Sequence, residues 1–368
     1  MPRSLLRGGS LTLAMNATCL YRSTNSLSSD FNAPSKISLD PWGVFSRAGC
    51  SGVFIHRIFS LSCFFVKIGV NWKVMVDFLV VGDVAVDNFF FIDEATLHCD
   101  KNDQNCTLDV KYGQKIPVTN HEVTIGGNAA NVSVGLAKLG ISSAILTTFG
   151  SDTEADFLKK ALAGSGVNID GSAVDSSRKS NQSAIIVYKG ERTILTYHDD
   201  GEDLVEGIPQ VPWVYLTSSS GRDSGPVFGR IVEYKALYPE CQLAFNPSMS
   251  DIKNGKIAQI LEIADILIVN EEELAAISPA PKVKILAVTK GKNGAVVKSD
   301  GQELSLPATG ETAVETTGAG DAFSSGFLGA LFYKNDLSTA LSWGLKNSGR
   351  VITKIGGTAG LLTKDEII

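Results

Sequence analysis

Short apolar runs alternate with amphipathic segments from Phe78 to the C-terminus, and this alternation constrains the fold more than any other feature. A segment such as "NAANVSVGLAKLG" has apolar residues at helical spacing and ends at Gly140, a residue type that often terminates helices. Apolar strands that alternate with helices indicate an α/β fold with a mostly parallel central sheet covered on both faces. The strands predicted in this way are "FLVVGD", "SAILTTFG", "WVYLT", "LAFNPS", "ILIVN" and "KILAVT".

Two regions interrupt the alternation with β-rich sequence, at about residues 84–125 and 181–200. The first contains the strand-like pieces "VAVDNFFFI" and "HEVTI" around a polar stretch. The second, "SAIIVYKGERTILTYH", has two β-rich arms around a Lys-Gly-Glu-Arg turn, which is typical of a hairpin. We predict that these segments form a separate small sheet, a lid over the strand ends.

The first 74 residues differ in composition from the rest of the chain. They contain eight Lys/Arg, two Asp/Glu and twelve serines, so residues 75–368 carry a net charge of −12 although the whole chain carries −6. Three interpretations of this N-terminal extension stay open: an organelle-targeting presequence, a disordered tail, or translation from upstream of a true start at Met75. The last is favoured, and with it a cytoplasmic protein.

Composition also argues against several classes of partner and site. The negative charge disfavours nucleic-acid binding, which usually needs a basic surface. The apolar stretch "LSCFFVKIGV" is interrupted by Lys67 and is too short to span a membrane. None of the six cysteines forms a C-x-x-C pair, so a zinc ribbon is not supported. Cys99 and Cys106 are close enough in sequence to pair locally, but free thiols in a reducing compartment are the favoured expectation.

The segment "ETTGAGDAFSSGFLGALF" (Glu315–Phe332) places a glycine-rich turn before a predicted helix. The first amides of a helix lack partners, and the helix dipole favours an anion close to them. Gly318 and Gly320 allow close approach of the backbone because they have no Cβ. Such a turn can stabilise a transferring phosphoryl group, and Asp321 beside it can accept a proton from an attacking hydroxyl. An ordinary helix cap with turn glycines is the competing interpretation.

Four further motifs have a functional and a simpler structural interpretation. In "ILIVNEEE" an amide and a carboxylate at a strand end suit Mg²⁺, or they form a helix cap. Asp87 can take paired sugar hydroxyls, or it is a loop residue. The helix start in "IGGNAANVSVG" and the turn in "TKGKNG" can line a polar ligand, or they only shape the backbone. No G-x-x-x-x-G-K-[ST] sequence is present, so a P-loop is excluded.

In their order and spacing these motifs resemble the PfkB, or ribokinase-like, family of carbohydrate kinases, from about Phe78 to the C-terminus. "ETTGAGDAFSSGFLGAL" is similar to the D-T-x-G-A-G-D signature of the family, "GGNAANVSVGLAKLG" to its N-terminal signature and "NEEE" to its N-x-x-E motif. The resemblance implies a kinase domain at residues 75–368 with the ribokinase-like three-layer α/β/α sandwich and a β-sheet lid. It also implies that the protein uses ATP and Mg²⁺.

The resemblance implies a role for each residue that matches the family pattern. Asp321 is the expected catalytic base, beside an anion hole formed by the amides of Gly318, Ala319 and Gly320. The other expected ligands are Asp87, Gly126, Gly127 and Asn131 for the sugar, Thr289, Gly291, Gly294 and Asn347 for ATP, and Asn270 and Glu273 for water-bound Mg²⁺.

Two departures from the family pattern leave details open. Glu315 replaces the usual Asp in a neighbourhood that binds a monovalent cation in many relatives, so activation by K⁺ stays open. Asn128 stands where ribokinase-type sequences have Lys, which weakens an assignment as ribokinase itself.

The leading hypothesis is an ATP-dependent kinase for a primary hydroxyl of a small sugar. The alternative is a nucleoside kinase of the same fold, with Phe89, Phe91 and Tyr197 of the lid as a pocket for the base. A non-catalytic sugar or nucleotide sensor is the third hypothesis, disfavoured because Asp321 and both turn glycines are present. The apolar lid strands also predict a homodimer formed through the lid.

Overall fold

A computed structural model describes residues 75–100, 106–199, 207–218 and 224–368. The predictions for the first 74 residues lie outside the described residues. The strands are β1 Phe78–Val81, β2 Ala85–Ile92, β3 Thr96–Cys99, β4 Cys106–Asp109, β5 Val118–Gly126, β6 Ser143–Leu146, β7 Thr148–Phe149, β8 Ala173–Val174, β9 Asn181–Tyr188, β10 Glu191–Tyr197, β11 Trp213–Thr217, β12 Gln242–Asn246, β13 Ile266–Asn270, β14 Ile285–Thr289, β15 Ala295–Ser299 and β16 Gln302–Leu306.

Helices follow most of the strands that were predicted to be buried. Their bounds are α1 Asn128–Lys138, α2 Thr153–Gly164, α3 Gly225–Leu237, α4 Met249–Lys253, α5 Ala258–Ile263, α6 Glu271–Ala276, α7 Ala319–Phe332, α8 Leu337–Val351 and α9 Lys364–Ile367, with a 3₁₀ turn at Gly291–Asn293.

The central sheet has eight strands in the order β16-β15-β14-β13-β12-β11-β1-β6. The strands from β14 to β6 run parallel, and β15 and β16 are antiparallel at one edge. Alternate residues of β1 enter two cores: Phe78 and Val80 pack with α1, α7 and α8, whereas Leu79 and Val81 pack with α3 and α5. Burial of both faces explains why these strands are continuously apolar, and the predicted three-layer α/β fold is confirmed.

A second sheet of four strands, in the order β10-β9-β2-β5, is built from the two β-rich regions that interrupt the sequence pattern. Its β9–β10 hairpin closes through Lys189 and Gly190, which both have positive φ as a type I′ turn requires. Phe89, Ile185 and Val187 form a small core of their own on this sheet. We refer to these four strands as the lid sheet.

The expectation of free thiols at Cys99 and Cys106 was wrong. Strands β3 and β4 pair directly at these two positions, with the Cα atoms 4.0 Å apart, and a disulfide joins the side chains. Cys241 is a buried free thiol. Within the described ranges, none of the helices combines the length and the apolar character needed to cross a membrane.

Candidate active site

Asp321 lies in the first turn of α7, near the carboxyl ends of the parallel strands. The helix follows Gly318, whose φ of 75° is left-handed and where a Cβ would lie 2.5 Å from the Cα of Gly357. The amide of Ala319 donates to Thr316 O over 3.3 Å and closes the turn. Apart from the amide of Ala319, the first amides of such a helix start have no intrahelical partner and can donate to an anion.

The carboxylate of Asp321 is buried and accepts a hydrogen bond of 2.9 Å from Asn131 Nδ2 on α1. Burial raises the pKa of Asp321 to about 7; the hydrogen bond from Asn131 opposes this shift, and the negative charges of Asp83 and Asp87 add to it. A carboxylate with a pKa near neutral can take a proton from a hydroxyl and release it again at physiological pH.

Asp87 is buried in β2 of the lid sheet. Burial raises its pKa to about 6, a hydrogen bond with Ser183 opposes the shift, and the charge of Glu315 supports it. Gly126, on the neighbouring strand β5, makes room for this carboxylate, because a Cβ there would lie 2.0 Å from Asp87 Oδ2. The lid sheet therefore contributes a carboxylate that faces the same cavity as Asp321.

A cavity of about 490 Å³ lies between the lid sheet and the start of α7. Its apolar lining comes from Ala85, Ile185 and Ile194, and its other lining residues are polar or glycine. These other residues are Asp83, Asp87, Gly127, Asn128, Asn131, Ser183, Thr196, His198, Ser218, Ser248, Ser250, Thr317, Gly318 and Asp321. A cavity with this many hydroxyl, amide and carboxylate groups suits a small ligand that carries several hydroxyls.

A second cavity of about 250 Å³ adjoins the first and shares Asn128, Gly318 and Asp321 with it. Its other lining residues are Arg192, Asn246, Ile268, Val269, Asn270, Glu273, Thr289, Thr316, Ala319, Gly320 and Ser324. Asp321 and the helix start of α7 thus stand between the two cavities, where a group could pass from a ligand in one to a ligand in the other.

Asn270 and Glu273 begin α6 and line the second cavity. They also cap the helix: Asn270 Oδ1 accepts from Glu273 N at 2.8 Å, and Glu273 Oε2 accepts from Asn270 N at 2.9 Å. The structural and the functional interpretation of this motif are therefore both compatible with the fold. Burial raises the pKa of the Glu273 carboxyl.

Oxygen ligands from one amide and one carboxylate fit a magnesium ion that keeps most of its water and binds phosphates as well. Within the described ranges, no group of three or more His, Cys, Asp or Glu residues is arranged to hold a metal by itself. The donor set at Asn270 and Glu273 therefore fits a hydrated cation brought in with a nucleotide better than a resident, fully protein-bound metal.

Residues 87–364 of the 368 match the family described as pfkB family carbohydrate kinase. The chain belongs to this family. It is therefore a phosphotransferase with an alcohol group as acceptor.

Curated relatives of this kinase include proteins with different names. It is 28% identical over 248 residues to "Probable fructokinase-6, chloroplastic" of Arabidopsis thaliana, covering 58% of this chain and 63% of that relative, which is less than two thirds of its length. It is 25% identical over 282 residues to "Nucleoside kinase" of Methanothermobacter thermautotrophicus, covering 72% of this chain and 85% of the relative.

Among solved structures, the fold is similar to that of Arabidopsis thaliana ribokinase complexed with ribose and ATP. The TM-score is 0.64 at 17% identity, and the match covers 80% of this chain and 98% of that chain. At this identity the likeness confirms the ribokinase-like fold and leaves the substrate to be argued from the cavity.

The structure brings together most of the predicted site of this pfkB kinase. Asp321, Gly318, Asp87, Gly127 and Asn131 line the first cavity, whereas Gly126 lies beneath Asp87 rather than among the lining residues. The predicted metal and anion-hole residues, together with Thr289, line the second cavity.

Three residues predicted to bind ATP do not line either cavity. Gly291 and Gly294 shape the turn between β14 and β15, and a Cβ on Gly294 would lie 2.0 Å from Leu306 O. Asn347 is fully buried in α8, where Nδ2 donates to Ala322 O at 2.9 Å and Oδ1 accepts from Leu362 N at 2.9 Å. Because its polar atoms are used inside the protein, the prediction that Asn347 flanks the adenine is not supported.

Several lining residues were missed by sequence reasoning. Asp83 follows β1 and accepts from Asn128 N at 3.2 Å, and Asn246 ends β12, so strand-end position was a usable signal for both. Ser218 and Ser248 lie in the loops that follow β11 and β12, so the same signal applied to them. Arg192 and His198 belong to the lid hairpin and its end, and for these two no local sequence signal was available, because tertiary packing alone places them at the cavities.

Proposed function

We propose that the protein transfers the terminal phosphoryl group of ATP to a primary hydroxyl of a small sugar, with Asp321 as the general base. The observation that carries this proposal is the position of Asp321 between two cavities, beside the helix start at Gly318, with a pKa of about 7. The acceptor would bind in the 490 Å³ cavity and the phosphates of ATP in the smaller one.

In this mechanism the acceptor hydroxyl gives its proton to the Asp321 carboxylate as its oxygen attacks phosphorus. The new O–P bond forms while the bond to the leaving ADP oxygen breaks. The amides of Gly318 and Gly320 stabilise the charge on the transferring group, and the amide of Ala319 joins them once it leaves Thr316 O. A magnesium ion near Asn270 and Glu273 would neutralise phosphate charge when bound. A lid sheet over the cavity would keep out water, which competes with the sugar as acceptor.

Asn131 supports a substrate with several hydroxyls. Its Nδ2 donates to Asp321, whereas its buried Oδ1 has no hydrogen-bond partner among the described residues. A buried acceptor without a partner costs free energy, and a sugar hydroxyl can satisfy it.

The lining favours a sugar over a nucleoside. Phe89 is fully buried and packs with Ile185, Val187, Phe91 and Ile355 in the small core of the lid sheet. Tyr197 is 47% exposed, and none of the three lid aromatics that were predicted as a base pocket lines the cavity. Among the described residues that line the cavity there is no Phe, Tyr or Trp, so a base would lack the large aromatic surface on which this alternative depends.

The experiment measures ADP release from Mg·ATP by the full chain across pentoses, hexoses, keto-deoxy acids and nucleosides. Turnover on a sugar that is lost in Asp321→Asn supports the proposal, and turnover on nucleosides alone would replace it with the alternative. Asp170→Asn, which makes the same chemical change at an exposed position, is the matched control and should keep wild-type turnover. Ligand-induced thermal stabilisation without any turnover would indicate a sensor.

A homodimer through the lid, activation by K⁺ and a cytoplasmic location remain part of the proposal. The edge strand β10 exposes Ile194, Leu195 and Tyr197, which supports pairing with a second copy. Light scattering at micromolar concentration should give twice the monomer mass; a clean monomer would overturn the dimer.

Replacing K⁺ by an inert organic cation at constant ionic strength should slow turnover, and unchanged turnover would remove K⁺ from the cofactors.

A further inference from the structure

Arg192 connects the lid sheet to the turn that leads into α7. It lies in β10, and its Nε is 3.3 Å from Oε1 of Glu315. Its Nη1 donates to the hydroxyl of Thr316. One side chain of the lid sheet therefore holds two consecutive residues just before the helix start at Gly318.

Glu315 transmits this contact to the backbone of the turn. Its side chain is only 1% exposed, and Oε1 also accepts the N–H of Thr317. Its own N–H donates to Ile352 O at 3.2 Å, and its Oε2 has no hydrogen-bond partner among the described residues. A carboxylate buried to this degree depends on a nearby cation, so its position and that of the turn depend on Arg192.

Arg192 also has a place at the second cavity. Of the described residues that line this cavity, it is the one that carries a positive charge. The other lining groups include the carboxylates of Glu273 and Asp321 and the amides of the α7 start.

We propose that Arg192 is a positioning residue that couples the closed lid sheet to the geometry of the anion-hole turn, acting through Glu315 and Thr316. When the lid sheet lies over the cavity, Arg192 neutralises Glu315 and fixes the Glu315–Gly318 segment. When the lid sheet lifts, Arg192 leaves with it and Glu315 keeps a buried charge, so the turn relaxes. This inference rests on the proposed kinase function, and it explains how a kinase of this kind would delay phosphoryl transfer until the sugar is covered.

The first test compares Arg192→Gln, Glu315→Gln and the double variant in the full chain. Each single change should lower kcat on the order of 100-fold, the loss typical of a small misplacement of catalytic groups, with a much smaller change in sugar KM. The double variant should be no worse than either single one, because both remove the same coupling. Arg192→Lys should recover part of the loss, since a lysine can pair with Glu315.

The second readout needs no turnover. Hydrogen exchange of the unliganded protein should become faster in both the β10 peptide and the 311–322 peptide when either partner is changed. Arg230→Gln and Glu233→Gln are matched controls, because this pair is 3.2 Å apart on α3 but more than half exposed. Neither control should change exchange in those peptides or kcat.

The outcomes separate this inference from the proposed function. If the wild type turns over a sugar but Glu315→Gln is fully active, or if the losses in the two single variants multiply, Arg192 acts directly on phosphate and the positioning role is overturned. If exchange changes only in β10, the coupling is also overturned. If the wild type turns over nothing while exchange changes in both peptides, the proposed function fails and the coupling stands.

Discussion

Two buried aspartates near opposite ends of the parallel strands have opposite electrostatic environments. Asp265 comes just before β13, where Lys235 and Lys284 lie 2.8 and 2.7 Å from its two oxygens and Leu243 N donates at 2.9 Å. Burial alone would raise the pKa of Asp265, but these hydrogen bonds outweigh it and hold the pKa below its usual value. Asp321, at the carboxyl ends, is surrounded by Asn131 and two further aspartates, and its pKa is raised.

The comparison shows how one residue type is used in two ways. The charge of Asp265 is compensated by cations of the protein, which anchors a strand start and leaves nothing for a ligand. The charge of Asp321 is poorly compensated by the protein, so this carboxylate binds a proton more strongly than a free one does. It can therefore accept a proton from a hydroxyl, and it favours cations that accompany a phosphate. The uncompensated charge of Asp321 costs stability, and the folded protein keeps it at the candidate active site.

Of the substitutions that test this comparison, Asp321→Asn should have the largest effect. We expect kcat to fall about 10³- to 10⁴-fold, because the amide cannot accept the hydroxyl proton. We also expect an equal or higher melting temperature, because the change removes a buried charge that the fold does not compensate. Steady-state ADP release and thermal unfolding of the same preparation measure both. A variant that loses activity together with stability would mean that Asp321 is a structural residue like Asp265.

Asp265→Asn should give the reverse pattern. Removing one partner of a buried charge cluster leaves Lys235 without its counterion, and about 3 kcal/mol of unfolding free energy should be lost. Turnover at a temperature where the variant is folded should stay near that of the wild type. Urea unfolding with activity measured below the transition tests this. Lys298→Gln, which breaks an exposed 3.0 Å pair with Glu303, is the control and should cost little.

Asp87→Asn sharpens the comparison within the site itself. Asp87 lines the 490 Å³ cavity from the lid sheet, so we expect it to bind substrate hydroxyls rather than to take the proton. Losing charged hydrogen bonds to a sugar should raise its KM about 10- to 100-fold with a smaller effect on kcat. Initial rates over a range of sugar concentrations separate the two constants. A loss confined to kcat would assign Asp87 to the chemical step instead.

The fold and part of the site followed from local sequence. The buried strands are recognisable by their continuous apolar sequence, and the Lys189-Gly190 turn by the backbone preferences of its residues. Tertiary packing did not override either signal. Asp321 and Asp87 were found because a glycine-rich helix start and a position a few residues after the first strand are recognisable in sequence. Arg192 was not found, because its meeting with Glu315 joins residues more than 100 positions apart. Asn347 was assigned by resemblance, and its packed, fully bonded surroundings could not be seen in sequence.

The smallest expected effect is the pH dependence of kcat/KM that follows from the raised pKa of Asp321. The proposed proton transfer requires ionised Asp321, so kcat/KM should rise with pH up to about 7 and then level off, with roughly a tenfold difference between pH 6 and 8. Asp83→Asn removes a negative charge that raises the pKa of Asp321, so the rising limb should move to lower pH. His198 also lines the cavity, and His198→Gln should leave the limb in place if Asp321 is the group that titrates.

Stability should respond to pH with opposite signs at the two aspartates. Because the folded-state pKa of Asp321 is about 7 and its usual value is 3.8, the folded protein binds this proton more tightly than the unfolded chain does. The contribution of Asp321 to stability therefore falls as pH rises between these two values. Asp265 has a lowered pKa, so its contribution is present above its usual value and is lost as pH falls through the folded-state value. Between pH 4 and 7 the free energy of unfolding should thus decrease less in Asp321→Asn than in the wild type. An identical slope would show that folding does not raise the pKa of Asp321.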